Sequence, residues 1–412
     1  MQSNYKPIGD YIQLVDVRNK DLRIETLLGL TINKQFIPSV ANTVGTDMSN
    51  YKIIRKNQFA CSTMQVRRDK KMPVALLKEL DEAIISQAYP IFEVKDEKEL
   101  LPEYLMMWFS REEFDREACF HAVGGVRGSL EWDDFCNMKF PLPSPEKQSK
   151  IVAEYNTVKN RIELNNQLIQ KLEETAQAIY KQWFVDFEFP DENGNPYKSS
   201  GGKMVYHEEL DKEIPEGWSC KELKELCSKI GSGATPKGGK ESYHARGVSL
   251  IRSTNVHDYR FSTDELAYIN DQQAEALKSV VVESKDILFN ITGVSVARCT
   301  IVPDSVLPAR VNQHVMIIRP QIQANYYLQF LLCHWESKSK LLGISQSGST
   351  REAITKSDIE FFRISLPTNG IIEKFENMVS RLHGAAESRR KQSQILKSLL
   401  NLLHSKLATI EN

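Results

Sequence analysis

The sequence predicts an α+β protein in which two globular domains alternate with two long helices. The helices pair as an antiparallel coiled coil, and the whole is an internal repeat with a pseudo-two-fold character. Three observations lead to this. First, the chain repeats itself. Displaced by 224 positions without a gap, Gly124-Gly125-Val126-Arg127 falls on Gly348-Ser349-Thr350-Arg351, Asp134 on Asp358, and Phe140-Pro141-Leu142-Pro143 on Ile364-Ser365-Leu366-Pro367. Second, after each Leu-Pro apolar residues recur at steps of four and three, the spacing of a coiled-coil seam. Third, the remaining segments hold short β-rich runs bounded by turn formers.

Each element follows from its residues. The first head (1–143) carries β-rich runs at Tyr51–Ile54 and Ala88–Val94 and a helical segment near 101–118. The first long helix (144–187) has Pro145 near its start, where a missing N–H costs nothing. Its seam is Ile151, Tyr155, Val158, Ile162, Ile169, Leu172, Ala176, Ile179 and Trp183, interrupted by Asn165. Phe189-Pro190 and the turn-rich Asp191–Pro196 end it, and Ser199-Ser200-Gly201-Gly202 reads as a flexible connector (188–214). Pro215-Glu216-Gly217-Trp218 opens the second head (215–367), with β-rich runs at Val280–Val282, Asp286–Thr292 and Val315–Ile318 and a helical segment near 325–342. The second long helix (368–412) has its seam at Phe375, Val379, Leu382, Ala386, Leu396, Leu400, Leu403, Leu407 and Ile410, interrupted by Arg389 and Ser393. The offset puts Asn165 on Arg389. In an antiparallel pair these two are expected to face each other, a polar layer that costs stability and fixes register.

Composition narrows the function. The chain has 412 residues, 41% apolar and 26% charged, enough to build several cores and too apolar for general disorder. No run of about 18 apolar residues could span a bilayer, and the N-terminal residues lack a signal-peptide core, so a cytoplasmic protein is expected. Seven cysteines without a C-x-x-C pair read as reduced thiols. A net charge of −1 confines any nucleic-acid contact to local patches. Two similar heads on rigid rods suit a reader of two separated sites. The seam from 151 to 183 spans roughly 50 Å at ~1.5 Å per residue, against ~34–36 Å between half-sites one DNA turn apart. The heads differ, so the expected target is split and asymmetric.

The segments Trp183-Phe184-Val185-Asp186-Phe187-Glu188-Phe189-Pro190, Tyr197-Lys198-Ser199-Ser200-Gly201-Gly202-Lys203-Met204 and Ile214-Pro215-Glu216-Gly217-Trp218 carry a family resemblance. The chain resembles the specificity (S) subunit of type I restriction–modification systems over essentially its whole length, the first head departing most. The resemblance implies two target-recognition domains on double-stranded DNA and helices that bind methyltransferase (M) subunits, two being expected. It also implies further assembly with restriction–translocase (R) subunits. Adenine N6 methylation with S-adenosylmethionine would belong to the M subunits, and this chain would be non-catalytic and without a cofactor.

Base reading needs polar or cationic side chains on exposed loops. In the first head the candidates are Gln65, Arg67, Arg68, Lys70 and Lys71, a stretch that could equally be a solvated charged turn, and Arg127 of the repeated loop. In the second head they are Arg252 and Asn255, and Asn290 and Thr292. Ser232, Thr235, Lys237 and Lys240 belong to a Gly-rich cationic loop that suits phosphate contact. The repetition of the Arg127 loop at Arg351 argues for a shared phosphate or structural role, not base discrimination. Turn chemistry is the competing explanation for the asparagines. Asn312-Gln313-His314 could contact bases, but inside a β-rich run the preferred reading is a buried hydrogen-bonded trio. The Gly-rich loop fails as a P-loop, because Gly239 stands where the lysine belongs. No catalytic constellation and no metal spacing emerges. Helix pairing is assigned to Ile162, Asn165, Ile169, Leu172, Ala386, Arg389 and Leu396. A rival reading is a protein–protein adaptor with a coiled-coil spacer and two divergent heads, which salt-dependent DNA binding would separate from a DNA reader.

Overall fold

The computed structural model describes residues 5–39, 45–124, 128–236, 238–347 and 353–409. The chain divides into two compact units, residues 1–166 with 391–412, and residues 167–390. Each unit therefore holds one head and one end of each long helix.

In the first unit, β1 (Tyr5–Pro7) pairs antiparallel with β10 (Lys139–Pro141), so the head closes on itself where its chain enters and leaves. Two four-stranded sheets lie between. One has the order β2-β9-β6-β7, from Ile12–Val15 (β2), Phe59–Cys61 (β6), Val74–Leu76 (β7) and Ile91–Val94 (β9). The other has the order β4-β3-β8-β5, from Leu27–Leu30 (β3), Phe36–Pro38 (β4), Lys52–Arg55 (β5) and Glu82–Ile85 (β8). Only β3 and β8 run parallel; the other pairs are antiparallel. Helices α1 (Val66–Asp69), α2 (Pro102–Phe109), α3 (Glu112–His121) and α4 (Trp132–Asn137) accompany these sheets. An aromatic core centres on Phe59 and Phe92, stacked at 4.9 Å, with Phe109, Phe114 and Phe135 around them. Such rings bury large apolar area and contribute beyond it through their geometry.

The second head repeats the plan. The strands β13 (Ser219–Glu222) and β24 (Arg363–Leu366) close it as β1 and β10 close the first. One sheet has the order β14-β23-β20-β21, from Cys227–Ser232 (β14), Ile287–Asn290 (β20), Cys299–Ile301 (β21) and Val315–Pro320 (β23). The other has the order β18-β15-β22-β19, from Val248–Ile251 (β15), Ala267–Ile269 (β18), Val281–Val282 (β19) and Ala309–Val311 (β22), again with one parallel pair, β15 and β22. Smaller elements are α6 (Leu223–Leu226), α7 (Asp271–Ala276), α8 (Asn325–Cys333), α9 (Trp335–Ser347), α10 (Lys356–Glu360) and the ribbon β16 (Val256–His257) with β17 (Arg260–Phe261). The two heads thus share one strand order and one mixed pairing, although their sequences agree mainly at the helices.

The long helices are Pro145–Tyr180 (α5), which widens into a π turn at Lys181–Val185, and Asn369–Lys406 (α11). They run antiparallel. In the first unit Tyr155 stacks on His404 at 5.1 Å, and in the second Trp183 meets Phe375 at 6.3 Å. Every expected seam residue that is described is buried or half-buried, including Ile162, Ile169, Leu172, Ala386 and Leu396. Asn165 is buried and its amide donates to Gln392 Oε1 at 3.1 Å and Ser393 Oγ at 3.3 Å. Its polar partners are therefore Gln392 and Ser393, not Arg389 as the repeat suggested. The repeat equates positions 165 and 389, but an antiparallel register opposes equivalent positions only at its centre, two residues further on. In the second unit Arg390 pairs with Glu173.

The stretch expected as a flexible connector is instead packed. Phe189 stacks on Tyr197 at 4.6 Å and on Trp218 at 5.5 Å, the Tyr197 hydroxyl donates to the Lys203 carbonyl, and β11 (Met204–His207) pairs with β12 (Lys212–Pro215). Gly202 is required there, because a Cβ would lie 2.4 Å from the Tyr197 ring. Phe184, Tyr327 and Phe375 meet edge-to-face at 4.8 Å and tie the helices to the second head.

Candidate nucleic-acid interface

The shared strand order brings the same loops together in each head. In the first head the loop after β6 runs beside the turn between β8 and β9: Cys61 N–H donates to the Pro90 carbonyl at 3.1 Å. In the second head the loop after β20 runs beside the turn between β22 and β23: Ile291 N–H donates to the His314 carbonyl at 3.0 Å. A third segment joins each pair. Leu130 N–H donates to the Thr63 carbonyl, and Ile354 N–H donates to the Ile291 carbonyl, both at 2.9 Å. The repeated loops seen in the sequence enter these third segments. Their arginines, Arg127 and Arg351, lie outside the described residues.

The first-head candidates sit on the loop after β6. Val66 anchors it from the core, while Gln65 and Lys70 take left-handed backbone at φ 63° and 52° on either side of α1. Arg67, Arg68, Lys70 and Lys71 are exposed and Gln65 is half-buried. Arg67 donates to the Gly124 carbonyl at 3.3 Å, which places the charged turn against the repeated loop. Arg68 is committed to Asp69 at 2.6 Å, and this hydrogen bond holds the Asp69 carboxyl below its usual range. Arg67, Lys70 and Lys71 thus carry the patch's uncompensated charge more than Arg68 does.

In the second head Ser232 is exposed at the end of β14, and Gly233 passes so close to β22 that a Cβ would lie 1.7 Å from the Val311 carbonyl oxygen. Only glycine lets the loop make this approach. Thr235 emerges beyond it and begins a polar relay. Its hydroxyl donates to Gln313 Oε1, Gln313 Nε2 contacts His314 Nε2 at 2.9 Å, and His314 Nδ1 contacts Thr292 Oγ1 at 2.6 Å. Lys237 lies outside the described residues; Lys240 falls in a short 3-10 turn, Gly239–Ser242.

Three expected contacts have other positions. Asn255 is 0% exposed; its amide donates to the Ser262 and Asp264 carbonyls at 3.0 and 3.1 Å and accepts from Arg252 N–H at 3.0 Å. Asn290 is also 0% exposed and donates to the Ser253 and Val256 carbonyls. Both amides donate inside the head, bracing the 252–264 turn, and neither is exposed. Arg252 is half-buried and turns its guanidinium inward to the Glu265 carbonyl.

The expected buried trio divides. Asn312 is 7% exposed, and its Oδ1 accepts from His314 N–H at 3.1 Å. His314 is half-buried and Gln313 is exposed. Gln313 thus departs from the preferred buried reading, and the Asx-turn former directly before it was the legible signal of a surface turn. Exposed apolar side chains stand on the adjacent loops, Met64 in the first head and Val294 in the second. On the helices, Ile395, Leu399 and Leu402 form an exposed apolar row off the seam, and Leu164 is exposed too. Among the described residues there is no group of three or more His, Cys, Asp or Glu that could hold a metal. No described helix is long and apolar enough to cross a membrane.

A family model described as the type I restriction modification DNA specificity domain matches residues 31–174 and 215–411, one stretch for each head and its helix. The specificity subunit of the type I restriction enzyme MjaIX from Methanocaldococcus jannaschii is 27% identical over 310 residues, covering 75% of this chain and 68% of that one. The HindI specificity subunit of Haemophilus influenzae is 22% identical over 429 residues, covering 92% of each. The crystal structure of a type I restriction–modification S subunit from M. genitalium aligns over 99% of this chain and 96% of its own, with a TM-score of 0.59 at 14% identity, a likeness of fold. With both halves matched, the chain belongs to the type I restriction–modification DNA specificity family.

Proposed function

We propose that this chain reads an asymmetric, bipartite DNA target, one half-site per head, for a type I restriction–modification complex. The observation that carries the reading is a common strand order presenting the same three loops in both heads with different side chains on them. A shared scaffold with divergent loops suits two readings by one mechanism: cations such as Arg67, Lys70 and Lys71 position the backbone, and polar tips read bases. The paired helices would set the half-site spacing. Their exposed row Ile395, Leu399 and Leu402 is an apolar face suited to a partner, and we assign it to methyltransferase subunits, two in the full complex, with restriction subunits joining them. The chain itself is non-catalytic in this reading. Adenine N6 methylation and S-adenosylmethionine binding belong to the methyltransferase subunit, and cleavage to the restriction subunit.

The test is the methylome of a host without other modification systems, expressing this chain with its cognate methyltransferase subunit. One bipartite motif with N6-methyladenine in each half is expected. Methylation independent of this chain, despite a stable complex, would favour a protein–protein adaptor.

A further inference from the structure

We propose that Gln313 and Gln87, at the tips of equivalent turns in the two heads, each read one base pair, and that adenine is the base they select. The inference rests on the DNA-reading function proposed above.

The two turns are the same structure built from different residues. In the second head Val315 N–H donates to the Asn312 carbonyl at 3.2 Å, and His314 N–H to Asn312 Oδ1 at 3.1 Å. In the first head Tyr89 N–H donates to the Ser86 carbonyl at 3.1 Å, and Ala88 N–H to Ser86 Oγ at 3.4 Å. Asn and Ser are interchangeable in this role, since each offers a side-chain oxygen two residues ahead. The residue between, which neither turn needs, is glutamine in both, and both glutamines are exposed. An exposed tip residue that the turn does not require is free to vary, so a glutamine at each tip is the informative coincidence. Around them the two heads differ, with Ala88 where the second head has His314.

The chemistry specifies the ligand. A glutamine amide offers an acceptor and a donor in one plane, the complement of adenine N6–H and N7 in the major groove. Gln313 is already aimed. Its Oε1 accepts from Thr235 and its Nε2 contacts His314, which in turn is held by Thr292. These contacts use one lone pair and one N–H, and leave one of each for the base. Gln87 makes no side-chain hydrogen bond among the described residues. It sits beside a cation, Lys52, whose ammonium donates to the Tyr89 carbonyl at 3.1 Å. In each head an exposed apolar side chain, Met64 or Val294, stands on the adjoining loop, suited to a thymine methyl.

The experiment compares the wild-type complex with Gln313→Ala, Gln87→Ala and Gln313→Glu, all with the methyltransferase subunit. Methylomes are read alongside competition binding against duplexes substituted one base pair at a time. Gln313→Ala is expected to lose roughly ten- to hundredfold discrimination at a single A·T pair in one half-site and to leave the other half unchanged. Gln87→Ala does the same in the other half. Gln313→Glu moves the preference at that position toward cytosine, whose N4–H a carboxylate accepts. Unchanged discrimination at every position, or a loss of affinity equal across all duplexes, overturns the inference while the wild-type motif stands. Absence of any motif with the wild-type chain instead overturns the function on which it rests.

Discussion

Glu376 of α11 is 3% exposed, and its carboxylate accepts from Tyr327 N–H at 2.8 Å, an otherwise unpartnered donor in the first turn of α8. Burial raises its pKa from 4.5 to about 7, outweighing the hydrogen bonds from Tyr327 and Tyr326 that favour the anion. A carboxyl with a raised folded pKa stabilises fully below the unfolded value, and that stabilisation is lost as pH rises through the folded one. With 1.36 kcal/mol per unit, the second unit should lose about 2.5 kcal/mol from this group between pH 5 and pH 8. Glu376→Gln keeps a carbonyl acceptor for Tyr327 and cannot ionise. Urea unfolding of both chains across that range tests this, the difference between them isolating Glu376. The variant should gain on the wild type by about 2.5 kcal/mol from pH 5 to pH 8. Parallel profiles would refute the argument that burial dominates the helix N-terminus here.

Other consequences follow from buried polar and aromatic contacts. Asn255→Ala leaves two carbonyls and the Arg252 N–H unpaired and should cost about 2–3 kcal/mol by thermal unfolding. Its DNA affinity should fall alike for all sequences, unlike that of a base reader. Phe184→Ala opens a cavity between Tyr327 and Phe375 and should cost about 3–5 kcal/mol; a loss below 1 kcal/mol would mean that this cluster does not tie the helices to the second head. Asn165→Leu should loosen the helix register at little cost in melting temperature. A Tyr155→Cys, His404→Cys pair should crosslink in the parent, and a Tyr155→Cys, Lys397→Cys pair only with the leucine present; identical patterns would sink the register role.

Much of the architecture was legible because the repeat and the seam are local patterns. Leu-Pro followed by a four–three spacing locates both helices, and every described seam residue is at least half-buried. Strand order was not legible, since pairing β3 with β8 and β15 with β22 joins segments some 55 to 60 residues apart. Asn165 shows a different limit: repeat offsets align equivalent positions, whereas contacts depend on the antiparallel register. At the candidate interface, residue type alone does not separate a reader from a brace. Asn255 and Asn290 have base-reading chemistry but are buried, one in a turn and one at the end of β20, while Gln313 is exposed beside an asparagine that does the structural work. The sequence aligns Ser86 with Asn312 only at a shifted offset, and the strand order shared by the two heads supports that alignment.

In the function proposed, each head reads its half-site independently. The β1–β10 and β13–β24 pairs bring each head's entry and exit together, which makes each head transferable. The most direct measurement is the methylome of a chain in which residues 5–141 also replace residues 219–366, expressed with the methyltransferase subunit. A target carrying the first half-site twice, with the second half-site lost, is the predicted result. Retention of the original second half-site would show that the heads do not carry the specificity.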